Sequence, residues 1–466
     1  MSITDYRHPS HVRNAPLWTK VRDCCAGEDA IKGRGESYLP DPSGGAEKDP
    51  LARAARYQSY LQRAVYLNAT GRTLQALVGI AFANWPRVAL HPWTKYLADD
   101  VDGSGVGIIN QSQRVLSEVL QTGRCGLLSD ATSMDEGERA RRLSVGEAEK
   151  RGHRAMIVAY TAEQILTWEY AGRQLSRLVL LEQHVDYTGG EVNEVQQLRE
   201  LVMRDGRCVV NLWRQLEGKT YHLVSTKETS FGRIPFQFVG ATNNDATPDL
   251  PPLLDLANLN LAHYRNSADF EESAFLLGQP QMVLTGVNEE WIEKVGAIHI
   301  GARAALPLPQ GADAKLLQVQ PNTLAQVAMK DKEAMMAAVG ARLLESRPTL
   351  TATQSASETK SGYSQLSLAC DNVSEAYRRA LQEIAKWYGN PTTGIDFAID
   401  TRFNDLTLDA NAIRETVAAW QAGMIPASDA WTVLRRLGVV DQGKSDEQLR
   451  SELDAAGPGL DLDAAA

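Results

Sequence analysis

From Pro251 to Asn390 the apolar positions recur with a helical period, lapse into short strand-like clusters, and then resume the helical period twice. The first run, PPLLDLANLNLAHYRNSADFEESAFLLG, opens on prolines suited to a first helical turn and sets Leu254, Ala257, Leu261, Tyr264, Ala268 and Phe275 at steps of three, four or seven. That spacing predicts one amphipathic helix from Pro251 to Gly278. In the next stretch, Gln279 to Asn322, β-branched and apolar clusters are broken by Gly and Pro, which predicts short strands with one helical turn. A second helical pattern runs from Leu324 to Ser346 and stops at Arg347-Pro348, because proline disfavours the helical conformation in the residue before it. Beyond a Thr-rich loop, Ser355 and Glu358 have capping-box spacing, so a third helix is expected to begin at Ser355. Its positions Leu366, Ala369, Val373, Ala376, Tyr377, Ala380, Leu381, Ile384, Trp387 and Tyr388 keep the helical period until Gly389-Asn390-Pro391 closes it.

Upstream, LPDPSGGAEKDP (Leu39 to Pro50) reads as a linker between an irregular N-terminal arm, expected to be an appendage, and a helical pair from Leu51 to Phe82. In that pair Leu74, Leu77, Val78 and Ala81 share one face, the signature of core packing. The polar turn ADDVDGSGVG precedes a helix from Asn110 to Leu120. From Gln164 to Phe238 the pattern turns strand-rich, with turns at Thr188-Gly189-Gly190 and Asp205-Gly206. After Pro391 come a short strand in IDFAIDTRF, two helices around TVAAWQAGMIPASDAWTVLRRLG, and a frayed tail, GPGLDLDAAA. Together these elements make an α+β fold, mainly helical.

Composition narrows the function classes. A chain of 466 residues can bury a large core and form several domains. The net charge of −10 has the wrong sign for a protein that grips nucleic acid through Lys and Arg, and suits one that lets nucleic acid pass. No span reaches the roughly 18 apolar residues needed to cross a bilayer, and the N-terminus carries no secretory pattern, so the protein is expected to stay where it is made. The five cysteines are scattered, which favours reduced thiols over a disulfide framework, and Cys24-Cys25 lacks the spacing of a zinc site.

Candidate chemistry is sparse. The run Asp102-Gly103-Ser104-Gly105-Val106-Gly107 lacks the strand and the Lys-Ser/Thr of a phosphate loop, and Asp99, Asp100 and Asp102 are out of register for a calcium loop, so a plain turn is the simpler reading. His8 and His11 are close in sequence, but surface histidines are commoner than ligands. No GxSxG elbow, HExxH helix, paired CxxC or kinase-like set occurs. The expectation is a protein that is not an enzyme and takes no cofactor or metal.

YLNATGRTLQALVG, DVDGSGVGI with QTGRCGLLSD, AYTAEQILTWEY, RIPFQFVG, PPLLDLANLNLAHYRNSADFE, QPQMVLTG and the helix ending in IAKWYG occur in an order that resembles the portal proteins of tailed bacteriophages. The span from about Tyr57 to Ala455 resembles one uncharacterised-domain branch of that family. Each stretch is weak alone and specific only in combination.

The resemblance implies a phage portal fold, a ring of typically twelve subunits at one capsid vertex, with wing, stem, clip and crown regions around a DNA channel. Residues 1–50 are then an N-terminal arm and linker, 51–250 the wing, 251–278 a stem helix, 279–322 the clip and 323–346 a second stem helix. Residues 347–354 become the tunnel loop, 355–408 the long wing helix with its following strand, 409–455 a short crown and 456–466 a flexible tail. The implied channel residues are Arg347, Thr349, Leu350, Thr351, Thr353, Gln354 and Lys360; the implied docking residues of the clip are Glu289, Glu290 and Lys294. Implied partners are further copies of the chain, double-stranded DNA, the large terminase subunit, a head-to-tail adaptor, and the major capsid and scaffolding proteins. No membrane is among them, and the location is the portal vertex of a virion assembled in the host cytoplasm. The small crown and the Thr-rich loop depart from the family pattern.

Elementary physics is compatible with that assignment. Helices side by side in a ring need apolar stripes toward neighbours and polar faces toward DNA and solvent, and hydroxyl-rich loops give weak, exchangeable phosphate contacts. Leu381 and Ile384 are expected on a face buried between subunits. Two other readings stay open at this level. A packaging or morphogenesis enzyme would need a Walker motif or a carboxylate metal cluster, and neither is evident; another virion structural or head-morphogenesis protein without catalytic activity would assemble through the same helices.

Overall fold

The residues expected to form an irregular arm fold as a helix, α1 (Pro9–Ala26), followed by the short α2 (Glu28–Gly33). His8 caps α1 through its side chain and Pro9 occupies the first turn, where its missing N–H costs nothing. Trp18, Val21 and Cys24 are buried, so the arm belongs to the core and is no appendage. Its period is hard to read because polar residues share the buried face: Asn14 donates to Ser10 O at 2.8 Å, and Asp23 accepts from Arg34 and Tyr38 at 2.7 Å.

The computed structural model describes residues 6–43, 48–131, 154–186, 193–215, 220–229, 231–278, 281–295, 308–317, 323–344, 364–389, 391–401, 403, 410–422, 424–436, 440 and 446–455. The chain divides into two compact units, one of Met1–Phe82 with Pro86–Ile399 and the other of Ala83–Trp85 with Asp400–Ala466. In the first, α3 (Pro50–Arg63) and α4 (Ala69–Ala81) are the expected helical pair, and Leu74, Leu77 and Ala81 are buried with Val78 half-buried. The polar turn leads into α5 (Ile108–Thr122), which ends at Gly123. Gly123 adopts φ +68°, and a Cβ there would lie 2.4 Å from Asp249 O, so both backbone and packing demand glycine.

The strands form separate antiparallel sheets. β2 (Arg124–Ala131) lies between β3 (Ala155–Thr161) and β9 (Phe236–Gly240). A five-stranded meander follows the chain order: β4 (Ile165–Ala171), β5 (Gln174–Asp186), β6 (Asn193–Arg204), β7 (Arg207–Gln215) and β8 (Tyr221–Glu228). Asp205 at φ +49° and Gly206 at φ +75° make the tight β6–β7 turn, matching the expected turn at Asp205-Gly206. One face of the meander joins Leu128, Tyr160, Phe236 and Phe238 in an apolar cluster with Trp168, Leu178, Leu180 and Leu201. A short pair, β1 (Arg87–Ala89) with β12 (Asp396–Ala398), returns the late chain to the early one.

Three longer helices follow among the described residues of this unit: α6 (Leu254–Gly278), α8 (Leu324–Arg342) and α9 (Gln365–Trp387). Between α6 and α8 lie β10 (Gln281–Thr285), α7 (Glu289–Val295) and β11 (Asp313–Leu317), the short strands and helical turn expected there. α9 starts later than the Ser355–Glu358 spacing predicts. Ser364 is extended at φ −67°, ψ 161°, and its hydroxyl accepts from Ser367 N at 3.1 Å, so the N-cap is Ser364 and the helix cannot run through it. Ser355 and Glu358 lie outside the described residues.

The second unit contains α10 (Ala410–Gln421) and α11 (Ala427–Arg436), the two expected helices, and a third, α12 (Asp446–Ala455). Arg435 hydrogen-bonds Asp446 at 2.5 Å, and the Arg450 guanidinium lies 5.7 Å from the Trp431 ring.

Candidate assembly site: a helical pair and the module it carries

The first turns of α6 are held on the α1, α3 and α4 surface by buried polar contacts. Asn260 Oδ1 accepts from Tyr66 Oη at 3.0 Å, from Thr70 N at 3.1 Å and from Thr70 Oγ1 at 2.9 Å, while its amide donates to Leu67 O at 2.7 Å. One side chain thus fixes α6 to the entry of α4. Further along, Val65 N donates to Ser267 Oγ at 3.2 Å and Tyr60 Oη to Asp269 Oδ1 at 2.7 Å. Arg63 pairs with Glu272 and sits 4.3 Å from the Phe275 ring centroid.

This anchoring changes the picture of α6 as a simple amphipathic helix. Leu256, Ala257, Asn260, Leu261, His263, Tyr264, Ser267 and Ala268 are all buried, so its first half is wrapped by its own chain. Beyond that point Ala274, Phe275 and Leu276 are exposed, Leu276 by 58%. Phe275, placed on the packed stripe by its spacing, is therefore outside the core, because the anchoring contacts end at Glu272 and Arg63.

α8 departs further from expectation. Its sequence LAQVAMKDKEAMMAAVGAR carries apolar residues on every side, and its only buried member is Met336. Leu324 is 76% exposed, Val327 53% and Met335 52%. An apolar stripe opposed to a polar face was expected; apolar residues are found on every side instead, so the buried or half-buried stripe of Ala325, Ala328, Met329, Met336 and Val339 leaves Leu324, Val327 and Met335 in water. α8 runs against α6, where His263 Nε2 lies 3.2 Å from Glu333 Oε1. At its far end Leu343 is buried, and its carbonyl accepts from Leu366 N at 3.2 Å, just inside α9. The chain before residue 345 and the chain after residue 363 are therefore joined where α8 ends and α9 begins. Arg347, Thr349, Leu350, Thr351, Thr353, Gln354 and Lys360 themselves lie outside the described residues.

In the carried module, β10 and β11 pair antiparallel from Gln281 opposite Leu317 to Thr285 opposite Asp313. Asn288 caps α7 by accepting from Trp291 N at 3.1 Å. Glu289 and Glu290 occupy its first turn and are exposed, where carboxylates favour the positive end of the helix. Lys294 falls in the same helix, with its side chain outside the described residues.

α9 corrects another expectation. Leu381 is 3% and Ile384 0% exposed within the single chain, because α9 packs on β2, β9, β12 and α5. Their face is intramolecular. Tyr377 Oη donates to Gln111 Oε1 at 2.9 Å, and Arg233 pairs with Glu383, tying α9 to α5 and to the segment before β9.

The remaining chemistry is quiet. Asp100 Oδ1 accepts from the Gly103 and Gly105 amides at 2.8 and 3.0 Å, so the glycine loop is folded on its own carboxylate. All five cysteines are free; burial pushes the Cys24 and Cys25 thiols up to about 12 and Cys208 to about 11, leaving them protonated at neutral pH. Among the described residues no group of three or more His, Cys, Asp or Glu is placed to hold a metal ion, and no helix is long and apolar enough to cross a membrane. The anchor Asn260 escapes a hydrophobicity reading, although one signal existed: Asn260, His263 and Ser267 interrupt an apolar stripe at helical spacing, as hydrogen-bonding core positions do.

Residues 252–388 match a family model described as a domain of unknown function, DUF4055. No curated protein matches the chain. Among solved structures the chain is similar to one titled "Virion of native gene transfer agent (GTA) particle", at 14% identity and a TM-score of 0.42, covering 81% of this chain and 92% of that one. It is also similar to one titled "Neck of native GTA particle computed with C12 symmetry", at 13% identity and a TM-score of 0.41, covering 78% and 89%.

Proposed function

We propose that this chain is a portal protein, which assembles as a ring at one capsid vertex, passes double-stranded DNA, and serves as the platform for the packaging motor and the tail. The observation that carries the reading is α8: it has apolar residues on every side, the subunit covers its face against α6, and Leu324, Val327 and Met335 stay in water. Exposed apolar surface of this extent requires a cover, and repeated copies set side by side supply one. Its position supports the same reading, since the pair of α6 and α8 carries a small module at one end and the junction of α8 with α9 at the other. The ordered stretches resembling phage portals give the pair its names: stem helices, with the module as clip and residues 347–354 as tunnel loop.

On this proposal Glu289, Glu290 and Lys294 face the large terminase subunit and later the adaptor, and Arg347 and Lys360 make weak phosphate contacts with passing DNA. The protein works without catalysis and without a cofactor. Deleting its gene from the particle-producing genome tests the role: heads should form without packaged DNA, and complementation should restore filling. DNA-filled heads in the deletion strain would refute it.

A further inference from the structure

We infer that His8 is a pH-sensitive latch, holding the N-terminal end of α1 on strand β4 while its imidazole is neutral and releasing it on protonation. Three contacts meet at this residue. Its backbone N–H donates to Leu166 O at 2.9 Å, its ring stacks on Trp168 with centroids 3.9 Å apart and planes 19° apart, and its Nδ1 accepts the Ser10 N–H at 3.2 Å as the cap of α1. The strap continues upstream, where Tyr6 O accepts from Thr167 Oγ1 at 3.0 Å.

The cap works only with an unprotonated Nδ1. A proton there removes the acceptor and sets a cation at the positive end of the helix. It also sets that cation near Arg124, whose guanidinium lies 4.8 Å from the same Trp168 ring and 4.0 Å from Phe238. Arg124 is 1% exposed and its Nη1 donates to Asp245 O at 3.2 Å, while its Nε and Nη2 are buried without a hydrogen-bond partner.

The charged and titratable groups acting on His8 are Arg124, from β2, and His11, from α1 itself, and both oppose protonation. On the elements packed against α1, Glu118 of α5 and Glu163 are engaged by Arg22 at 2.5 and 2.6 Å. Burial first, then Arg124 and His11, hold the His8 imidazole below its ordinary 6.5. The sign follows from linkage: the neutral form is favoured in the latched state, so latching is full above about pH 6.5 and weakens as pH falls through and below that value.

Hydrogen exchange of the full-length protein tests the latch. After correction for intrinsic rates, amides in residues 8–18 should exchange at least about twofold faster at pH 5.0 than at pH 7.5, because protonation of His8 weakens the latched state. His8→Asn, which caps at every pH, should abolish the acceleration, and His11→Asn should keep it. Unchanged wild-type exchange overturns the inference, as does acceleration that survives in His8→Asn or disappears in His11→Asn. Should His8→Asn fold poorly, titration of the wild-type His8 ring by carbon-labelled histidine spectra decides the matter. A His8 midpoint at or above 6.5 would contradict the latch.

Discussion

Asn260 shows how much one residue can hold. Its carboxamide oxygen takes the Thr70 N–H and hydroxyl and shares the Tyr66 proton with Cys24 O, which lies 2.9 Å from Tyr66 Oη. Asn260→Leu fits the stripe of α6 but leaves these groups unpaired, and should destabilise the subunit by about 3 kcal/mol, with Tyr66→Phe costing about 1 kcal/mol. Denaturant midpoints measure both, and an unchanged midpoint for Asn260→Leu would show that the network is dispensable. A second residue-scale prediction concerns acid. Burial alone would raise the Glu163 carboxyl, but hydrogen bonds and charge from Arg22 outweigh it and hold it below 4.5. Its stabilisation is therefore present above about pH 4.5 and lost as pH drops below it, so Arg22→Met should flatten the decline in melting temperature between pH 5 and pH 3. An identical decline in the variant would exclude this pair as its source. These contacts were illegible in the sequence because they join residues far apart, such as Tyr66 to Asn260 and Arg22 to Glu163, through polar side chains that leave no periodic trace.

At the scale of elements, α8 and α9 were both expected to face neighbouring subunits, and only α9 departs from that by burying its face in its own chain. Both show apolar residues at helical spacing, but α9 buries Leu381 and Ile384 in its own chain whereas α8 leaves Val327 and Met335 in solvent. Ile384→Asp should therefore cost at least about 3 kcal/mol and yield misfolded protein, because an unpaired charge loses its hydration in the core. Val327→Asp with Met335→Asp should leave the subunit folded, within about 0.5 kcal/mol per site, yet prevent assembly. Light scattering with circular dichroism separates the cases, and intact assemblies in the double variant would remove α8 from the interface. Periodicity alone located α6, α8, α9 and the strands of the meander, since each keeps its period over several turns or alternations. It failed for α1, whose buried face includes Asn14 and Asp23, and for the start of α9, where the Ser355–Glu358 spacing suggested an earlier cap than Ser364, whose extended backbone sets it.

For the whole molecule, packing against α6 still leaves Leu324, Val327 and Met335 of α8 in water, so the cover of that surface must come from outside the subunit. Arg347→Ala with Lys360→Ala should leave assembly intact and impair DNA packaging or retention, and normally filled heads would remove these two residues from the channel. Glu289→Lys with Glu290→Lys should likewise spare assembly while weakening motor binding; undiminished motor binding would free the module from that role. The apolar periods made the helices and strands legible, whereas the uncovered surfaces were not, because a helix apolar on all sides and a buried helix look alike until packing is known. Native mass spectrometry with negative-stain imaging of the purified protein should find closed rings with a central opening and a mass that is a whole multiple of the 51.1 kDa chain, with about twelve copies. Monomers, or open sheets and shells without a central opening, would contradict the proposal.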